Sequence, residues 1–340
     1  MRERVEGPYN HPDMLATLDG IRAAATRIAG IARRTPVLDL APLLSLHVKC
    51  EQMQPIGAFK IRGAYNFLAQ LTAADRACGV ITYSSGNHGQ AVAFAAQRFG
   101  VPAVIVMPET APAVKVDGAR RWGAEVQFAG TTTVHRQARA EALAVERGLL
   151  VVPPFDSLPI VEGQGTAGLE LMEQVPGVRT VVVPVGGGGL IAGVAAAVKL
   201  SDPSIRVIGV EPEGAPKMSQ SLAAGMPVTL PSVRSIADGL LAVRPGAINF
   251  LHVQAFVDDV LTVTDEEIVE AARVLWDAAR LLWDCARIAI EPSGATSVAG
   301  ALPRLADWAL EGPVAAVLSG GNVALATLAA LVDAPAIATT

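Results

Sequence analysis

VVVPVGGGGLIAGV, residues 181–194, is an apolar run interrupted by four consecutive glycines. A glycine fixed inside an element costs roughly 0.5–1 kcal/mol relative to alanine. Four together, between a β-branched run and an alanine-rich one, mark a loop where another group must come close to the backbone. A tight strand-to-helix turn alone would not need so many. Strand, glycine loop and helix is the geometry in which backbone N–H groups and the positive end of a helix dipole hold a phosphate. A second reading fits the same residues: Gly187, Gly189 and Ala192 match G-x-G-x-x-A, and Glu211 closes the next strand where a dinucleotide fold places its acidic ribose ligand. From this stretch, a nicotinamide oxidoreductase and another phosphate binder stay equally open.

Working outward, strand-like and helix-like segments alternate, which argues for parallel βαβ architecture in an α/β fold. GVITYSS (79–85) precedes the helical QAVAFAAQRFG (90–100), and VPAVIVMP, KVDGARRWG and AEVQFAG read as strand, helix and strand. RTVVVPV leads into the glycines, LIAGVAAAVKL into a helix, and IRVIGVEP into the next strand. VAAVLSGGN and ALATLAALV supply a late strand and helix, and PFDSLP reads as a crossing between two α/β units. ARVLWDA (272–278) is followed directly by ARLLWDC (279–285), a seven-residue copy that extends a helix by about two turns.

The balance of charge excludes several classes. A net charge of −5 without a basic run gives no footprint for nucleic acid or for a membrane surface. Cys50, Cys78 and Cys285 show no CxxC spacing and read as reduced thiols of a cytoplasmic protein, not as a disulfide framework or a zinc site. The first residues, MRERVEGPYNHPDML, lack the apolar core of a signal peptide. The longest apolar stretch, NVALATLAALVDAPAIA, is cut by Asp333 and Pro335, which argues against a spanning helix.

The choice between phosphate binders comes from EQMQPIGAFKIRGAYNFL (51–68). Lys60 follows Phe59 and lies between Gly57 and Gly63, and an amine against apolar walls loses its charge more readily and becomes a nucleophile or base. In SSGNHGQAVA, Ser84, Ser85 and Asn87 cluster in a turn that opens a helix and offers hydroxyl and N–H donors to a carboxylate. In VLSGGNV, Ser319 ends an apolar strand. One lysine, one phosphate cradle and one anion-binding turn, on separate strand ends, suggest pyridoxal phosphate and an amino acid.

GAFKIRGA, SSGNHGQ, PFD…GQGT, VPVGGGGL, IADG, EPSGA and LSGGNV, in this order, resemble the fold type II pyridoxal-phosphate enzymes, and most of all the threonine/serine dehydratase and serine racemase family. The likeness runs from RRTPVL to LSGGNV. It implies two parallel-sheet α/β domains with the active site between them: a large cofactor-binding domain from 1–72 and 156–340, and a small one from 73–155. It implies pyridoxal 5'-phosphate as cofactor, joined to Lys60, which later acts as base on the substrate Cα. Phe59 would pack on the pyridine ring, Asn87 would hydrogen-bond its 3′-oxygen and Ser319 would pair with its nitrogen. Gly186, Gly187, Gly188, Gly189 and Leu190 would hold the phosphate, which removes the ribose role from Glu211. Ser84, Ser85, Asn87 and His88 would line the substrate carboxylate, with His88 equally readable as a satisfied turn histidine.

The implied reaction is deamination of a β-hydroxy amino acid, L-threonine or L-serine, to a 2-oxo acid and ammonia, by a homodimer or homotetramer. The alternatives are a serine racemase, for which Ser85 would supply the second acid–base group, and a dehydratase for a bulkier substrate such as phenylserine. A nicotinamide oxidoreductase would leave GAFK and LSGGNV unexplained. The apolar Leu240-Leu241-Ala242-Val243 after IADG favours an uncharged substrate side chain, and little chain follows LSGGNV, so no effector domain and little isoleucine inhibition are expected. The pattern departs from the family at Ala58, often serine, and at Pro153, often histidine. Serine racemases place carbonyl and carboxylate ligands to a divalent ion after the VEPEGAPK strand. Glu211 and Ala215 match these, but Lys217 stands at a carboxylate position, and a cation there would repel a metal.

Overall fold

In the computed structural model, residues 14–330 are described, except 85, 112, 282–288, 325 and 328. Among the described residues, ten strands form two sheets. The larger, six-stranded sheet contains β1 (Val37–Asp39), β2 (Leu46–Cys50), β7 (Thr180–Pro184), β8 (Arg206–Pro212), β9 (Asp259–Val263) and β10 (Val314–Leu318) in the order β1-β2-β10-β7-β8-β9. Only β1 runs antiparallel to its neighbour in this sheet. The smaller sheet is all parallel: β3 (Val80–Tyr83), β4 (Ala103–Met107), β5 (Glu125–Phe128) and β6 (Leu150–Val151), in the order β5-β4-β3-β6.

The strands that carry the site read as unbroken apolar runs, because a parallel strand covered on both faces has no polar side. Thr180 to Pro184, Val314 to Leu318 and Ala103 to Met107 are buried throughout. Helix Gly189–Ser201 is hydrophobic all round and buried from Gly189 to Val198, as expected for a helix with neighbours on every side. The expected strand–loop–helix at the glycines is therefore present, and so is the parallel α/β class.

Helix Lys60–Ala69 begins at the candidate lysine and joins the two layers. Ile61, Ala64 and Leu68 pack into the apolar cluster beneath the smaller sheet, with Val80, Ala91 and Ile105. Its polar face points the other way. Arg62 reaches Glu51, just past β2, and Glu170 on helix Leu158–Gln174. The helix expected from residue 90 starts earlier, as Asn87–Phe99, because Gly86 serves as its N-cap and puts Asn87 and His88 in the first turn. The first heptad copy lies on helix Asp265–Leu281, and the second falls largely outside the described residues. The same holds for part of ALATLAALV and for Cys285.

Candidate active site

The site residues meet where strands β3, β7 and β10 end, the side on which parallel sheets bind ligands. Residues 57–59 run against the segment after β10: Ala58 bridges Gly320, Phe59 N donates to Ser319 O at 3.1 Å and Gly321 N to Gly57 O at 3.0 Å. These bonds place Phe59 and Lys60 beside Ser319. The Lys60 amine donates to the Pro154 carbonyl at 2.7 Å and stands 5.2 Å from the centre of the Phe59 ring. Its stem keeps some exposed surface, but the amine end is enclosed, and that desolvation pulls its pKa down to about 8.

His88 is buried, and burial first, then the Lys60 charge, pushes its pKa down to about 3. The ring is therefore neutral at ordinary pH, with Nε2 3.4 Å from Val152 O. It cannot anchor a carboxylate by charge. The Ser84 hydroxyl accepts from Gly86 N at 3.1 Å and shapes the turn. Ser85 lies outside the described residues.

Asn87 donates to Glu291 Oε1 at 2.6 Å and accepts from Asn322 Nδ2 at 2.9 Å. Burial raises the Glu291 carboxyl to about 7 against the opposing pull of Lys115 and Asn87. Ser319 is buried, its hydroxyl 3.4 Å from Ser293 O, with no charged partner. Lys115, on helix Ala113–Arg121, forms an ion pair with Asp238 and lies beside Gly86.

The glycine loop shows what it is built to hold. None of the backbone N–H groups of Gly186 to Leu190 donates to another group among the described residues. Leaving buried N–H groups unpaired costs free energy, so their convergence at the start of a helix fits a ligand with several anionic oxygens. The loop is also held tight. A Cβ on Gly187 would lie 2.4 Å from the Phe155 ring, and Gly188, with φ +97, adopts a conformation that side chains disfavour. Gly187 O accepts from Gly246 N at 3.0 Å and Asn249 Nδ2 at 2.9 Å. Asp156 fixes the same corner by accepting from Ala247 N and Ile248 N, both at 2.9 Å. Leu240 Cα lies 3.5 Å from where a Cβ on Gly186 would be. A loop of free N–H groups, an enclosed lysine amine and an aromatic ring beside it suit pyridoxal phosphate, whose phosphate Gly186 to Leu190 would hold and whose carbonyl carbon Lys60 would bond.

Glu211 has no ribose role, because its carboxylate is consumed by Lys217, Met218 N and Ser219. Among the described residues no cluster of three or more His, Cys, Asp or Glu could hold a metal ion. No helix among them is long and apolar enough to cross a membrane. Phe155, Glu291 and Asn322 lie in the motifs PFD, EPSGA and LSGGNV, but a motif does not say which side chain faces inward. Asn249 and Lys115 carry no sequence signal; Asp238 lies in IADG, but only the fold brings it to Lys115.

Residues 28–320 match the family described as pyridoxal-phosphate dependent enzyme. A serine racemase of Oryza sativa subsp. indica is 42% identical over 322 residues, 92% of this chain and 93% of the relative. An L-threonine ammonia-lyase of Geobacter sulfurreducens is 41% identical over 290 residues, 85% of this chain and 70% of the relative. The solved structure of maize serine racemase superposes with a TM-score of 0.84 at 41% identity, covering 92% of this chain and 95% of that one.

Proposed function

The chain belongs to the pyridoxal-phosphate dependent enzyme family, in its ammonia-lyase and racemase branch, and within it we propose that this protein removes ammonia from L-threonine or L-serine. The observation that carries this reading is Lys60, an enclosed amine with a pKa near 8, ready to exchange a proton near neutral pH. Bound pyridoxal phosphate supplies the electron withdrawal that makes a Cα proton removable. Lys60 takes that proton and passes it to the β-hydroxyl, which leaves as water, and the unsaturated amine released takes up water to give a 2-oxo acid and ammonia. Ser319 supports elimination, since a neutral hydroxyl at the ring nitrogen keeps the ring a weaker electron sink than an aspartate would. Lys115 is paired with Asp238, so this cation is not free for an acidic side chain.

A second reading, serine racemisation, is favoured by the 42% identity to a plant serine racemase. It would use Ser85 as the acid–base group on the face opposite Lys60. One experiment separates the two. Purified holoenzyme is given L-threonine or L-serine, with 2-oxo acid followed by a coupled dehydrogenase and D-serine by chiral chromatography. Ammonia-lyase activity predicts 2-oxo acid from both substrates as the main product, with a minor yield of D-serine that Ser85→Ala removes. D-serine as the main product would replace the first reading by the second, and neither product would refute both.

A further inference from the structure

Lys217 and Glu211 are buried charges that the proposed chemistry does not use; both side chains are 0% exposed. The Lys217 ammonium donates to Val185 O at 2.7 Å and Ala215 O at 3.1 Å, and lies 3.1 Å from Glu211 Oε2. An ammonium has three N–H bonds, and these three oxygens use all of them. Glu211 is completed by the start of helix Lys217–Ala224, accepting from Met218 N at 3.0 Å and Ser219 N at 2.8 Å. The shell around the nitrogen is therefore oxygen only, one carboxylate and two main-chain carbonyls, the donor set that hard cations take. A divalent ion would need oxygens at about 2.0–2.6 Å around a vacant centre. Here the centre holds a nitrogen that cannot leave, so the divalent ion implied by the likeness to serine racemases does not fit this chain.

The position of the shell gives it a task. Val185 is the residue before the glycine loop, and its peptide to Gly186 is trans. In a trans peptide the C=O and the following N–H point in opposite directions. Holding Val185 O on Lys217 thus turns Gly186 N–H to the other side. Gly187 O is held outward in the same way by Gly246 N and Asn249, which turns Gly188 N–H back. Two carbonyls held outside the loop leave two N–H groups free on its inner side, and neither has a protein acceptor among the described residues.

We propose that Lys217 is a tethered cation that shapes the phosphate cup, making cofactor binding independent of a divalent ion, and that shortening this side chain converts the same oxygen shell into a divalent-cation site. The proposal rests on the cofactor of the family and not on the substrate. Its test reads cofactor affinity, metal binding and melting of the apo-protein, so it stands or falls separately from the reaction. Lys217→Met keeps the volume and removes the charge. Lys217→Asp removes the cation and adds a carboxylate ligand.

Pyridoxal phosphate is titrated into each apo-protein, in EDTA and in Mn²⁺, and Mn²⁺ binding is followed by electron paramagnetic resonance. The wild type should bind cofactor equally in both media and show no bound Mn²⁺. Lys217→Met should weaken cofactor binding by about tenfold or more, with no recovery in Mn²⁺, because the side chain still fills the shell. Lys217→Asp should be equally weak in EDTA, then bind a single Mn²⁺, melt higher and recover cofactor affinity. A wild type that binds Mn²⁺ in this shell or loses cofactor in EDTA overturns the proposal, as does wild-type cofactor affinity in Lys217→Met. Failure of Lys217→Asp to fold or recover in Mn²⁺ overturns the conversion to a metal site, and the other two proteins still decide the role of the ammonium.

Discussion

Replacing Arg62 by methionine should cost more stability than a substitution at almost any other polar position. The Arg62 and Glu51 side chains are both fully enclosed, and Arg62 meets both Glu51 oxygens at 2.8 Å. The same guanidinium binds Glu170 at 2.7 and 2.8 Å, Thr166 at 3.0 Å and Arg33 O at 3.1 Å. Burial alone would push the Glu51 carboxyl up, but the Arg62 charge and hydrogen bonds, with Lys49 behind them, hold it below its ordinary 4.5. Methionine fills much of the volume and leaves Glu51 without its strongest partner. Breaking a buried pair from one side costs roughly 3–5 kcal/mol. At about 2 °C per kcal/mol for a chain of this size, that is a fall in melting temperature of roughly 6–10 °C.

The pH dependence gives a sharper test of the same reasoning. In the wild type the depressed Glu51 pKa contributes stability above its unfolded value, lost as pH falls through the folded value. In Arg62→Met, burial dominates and that contribution changes sign. The stability gap between the two proteins should therefore be widest at neutral pH and shrink below about pH 4.5. Urea unfolding of wild type, Arg62→Met, Glu51→Gln and the double variant from pH 4 to 8 measures both the gap and the coupling energy. A gap under about 1 kcal/mol, or one that does not change with pH, would refute the account of this network.

Lys60→Ala should lose turnover and the visible absorbance of bound cofactor together, as read by spectra of the purified protein before and after adding L-threonine. Gly187→Ala puts a methyl 2.4 Å from the Phe155 ring; it should cost roughly 1–3 kcal/mol of stability in thermal melts, and Phe155→Leu in the same chain should recover part of it. Glu291→Gln removes a carboxyl that burial raises to about 7, among Asn87, Asn322, Lys115 and Asp238. A raised carboxyl pKa gives stability that is full below the unfolded 4.5 and lost as pH rises through 7, so wild type should lose about 3 kcal/mol relative to Glu291→Gln across that window, measured by urea unfolding at each pH.

The fold was legible in the sequence where one physical cause dominated. Buried parallel strands must be apolar on both faces, so Thr180–Pro184 and Val314–Leu318 declare themselves without any partner in view. The glycine loop was legible as a place of close approach, because Gly186 to Gly189 exceed what a turn needs; the same residues also fit a dinucleotide fold, and the choice between them rested on Lys60 and Ser319. Lys60 stood out through its apolar neighbours and has the lowered pKa that they imply. What the sequence could not show is every feature that depends on distant pairing. Asn249 reaches Gly187 across 62 residues, Asn87 reaches Glu291 across 204, and Lys115 meets Asp238 across 123. Lys217 was recognised as a charge in the wrong place for a metal; that its three N–H bonds would be taken by Val185, Ala215 and Glu211 follows only from the packing of β7 against β8.

One cause, burial, acts on Lys60, His88 and Glu291 and drives each toward its neutral form. It lowers Lys60 to about 8, lowers His88 to about 3 and raises Glu291 to about 7. The lowered pKa of Lys60 favours the free amine that a nucleophile or base requires. The site uses little formal charge to do this. Its glycine loop offers backbone N–H groups at a helix start, Ser319 offers a neutral hydroxyl, and Lys217 beside the loop is turned outward onto Val185 O. A cleft assembled this way gains its electrostatic character from the fold that desolvates it. The packing of helix Lys60–Ala69 between the two layers, secured by Arg62, is therefore as much a part of the chemistry as the lysine at its first turn.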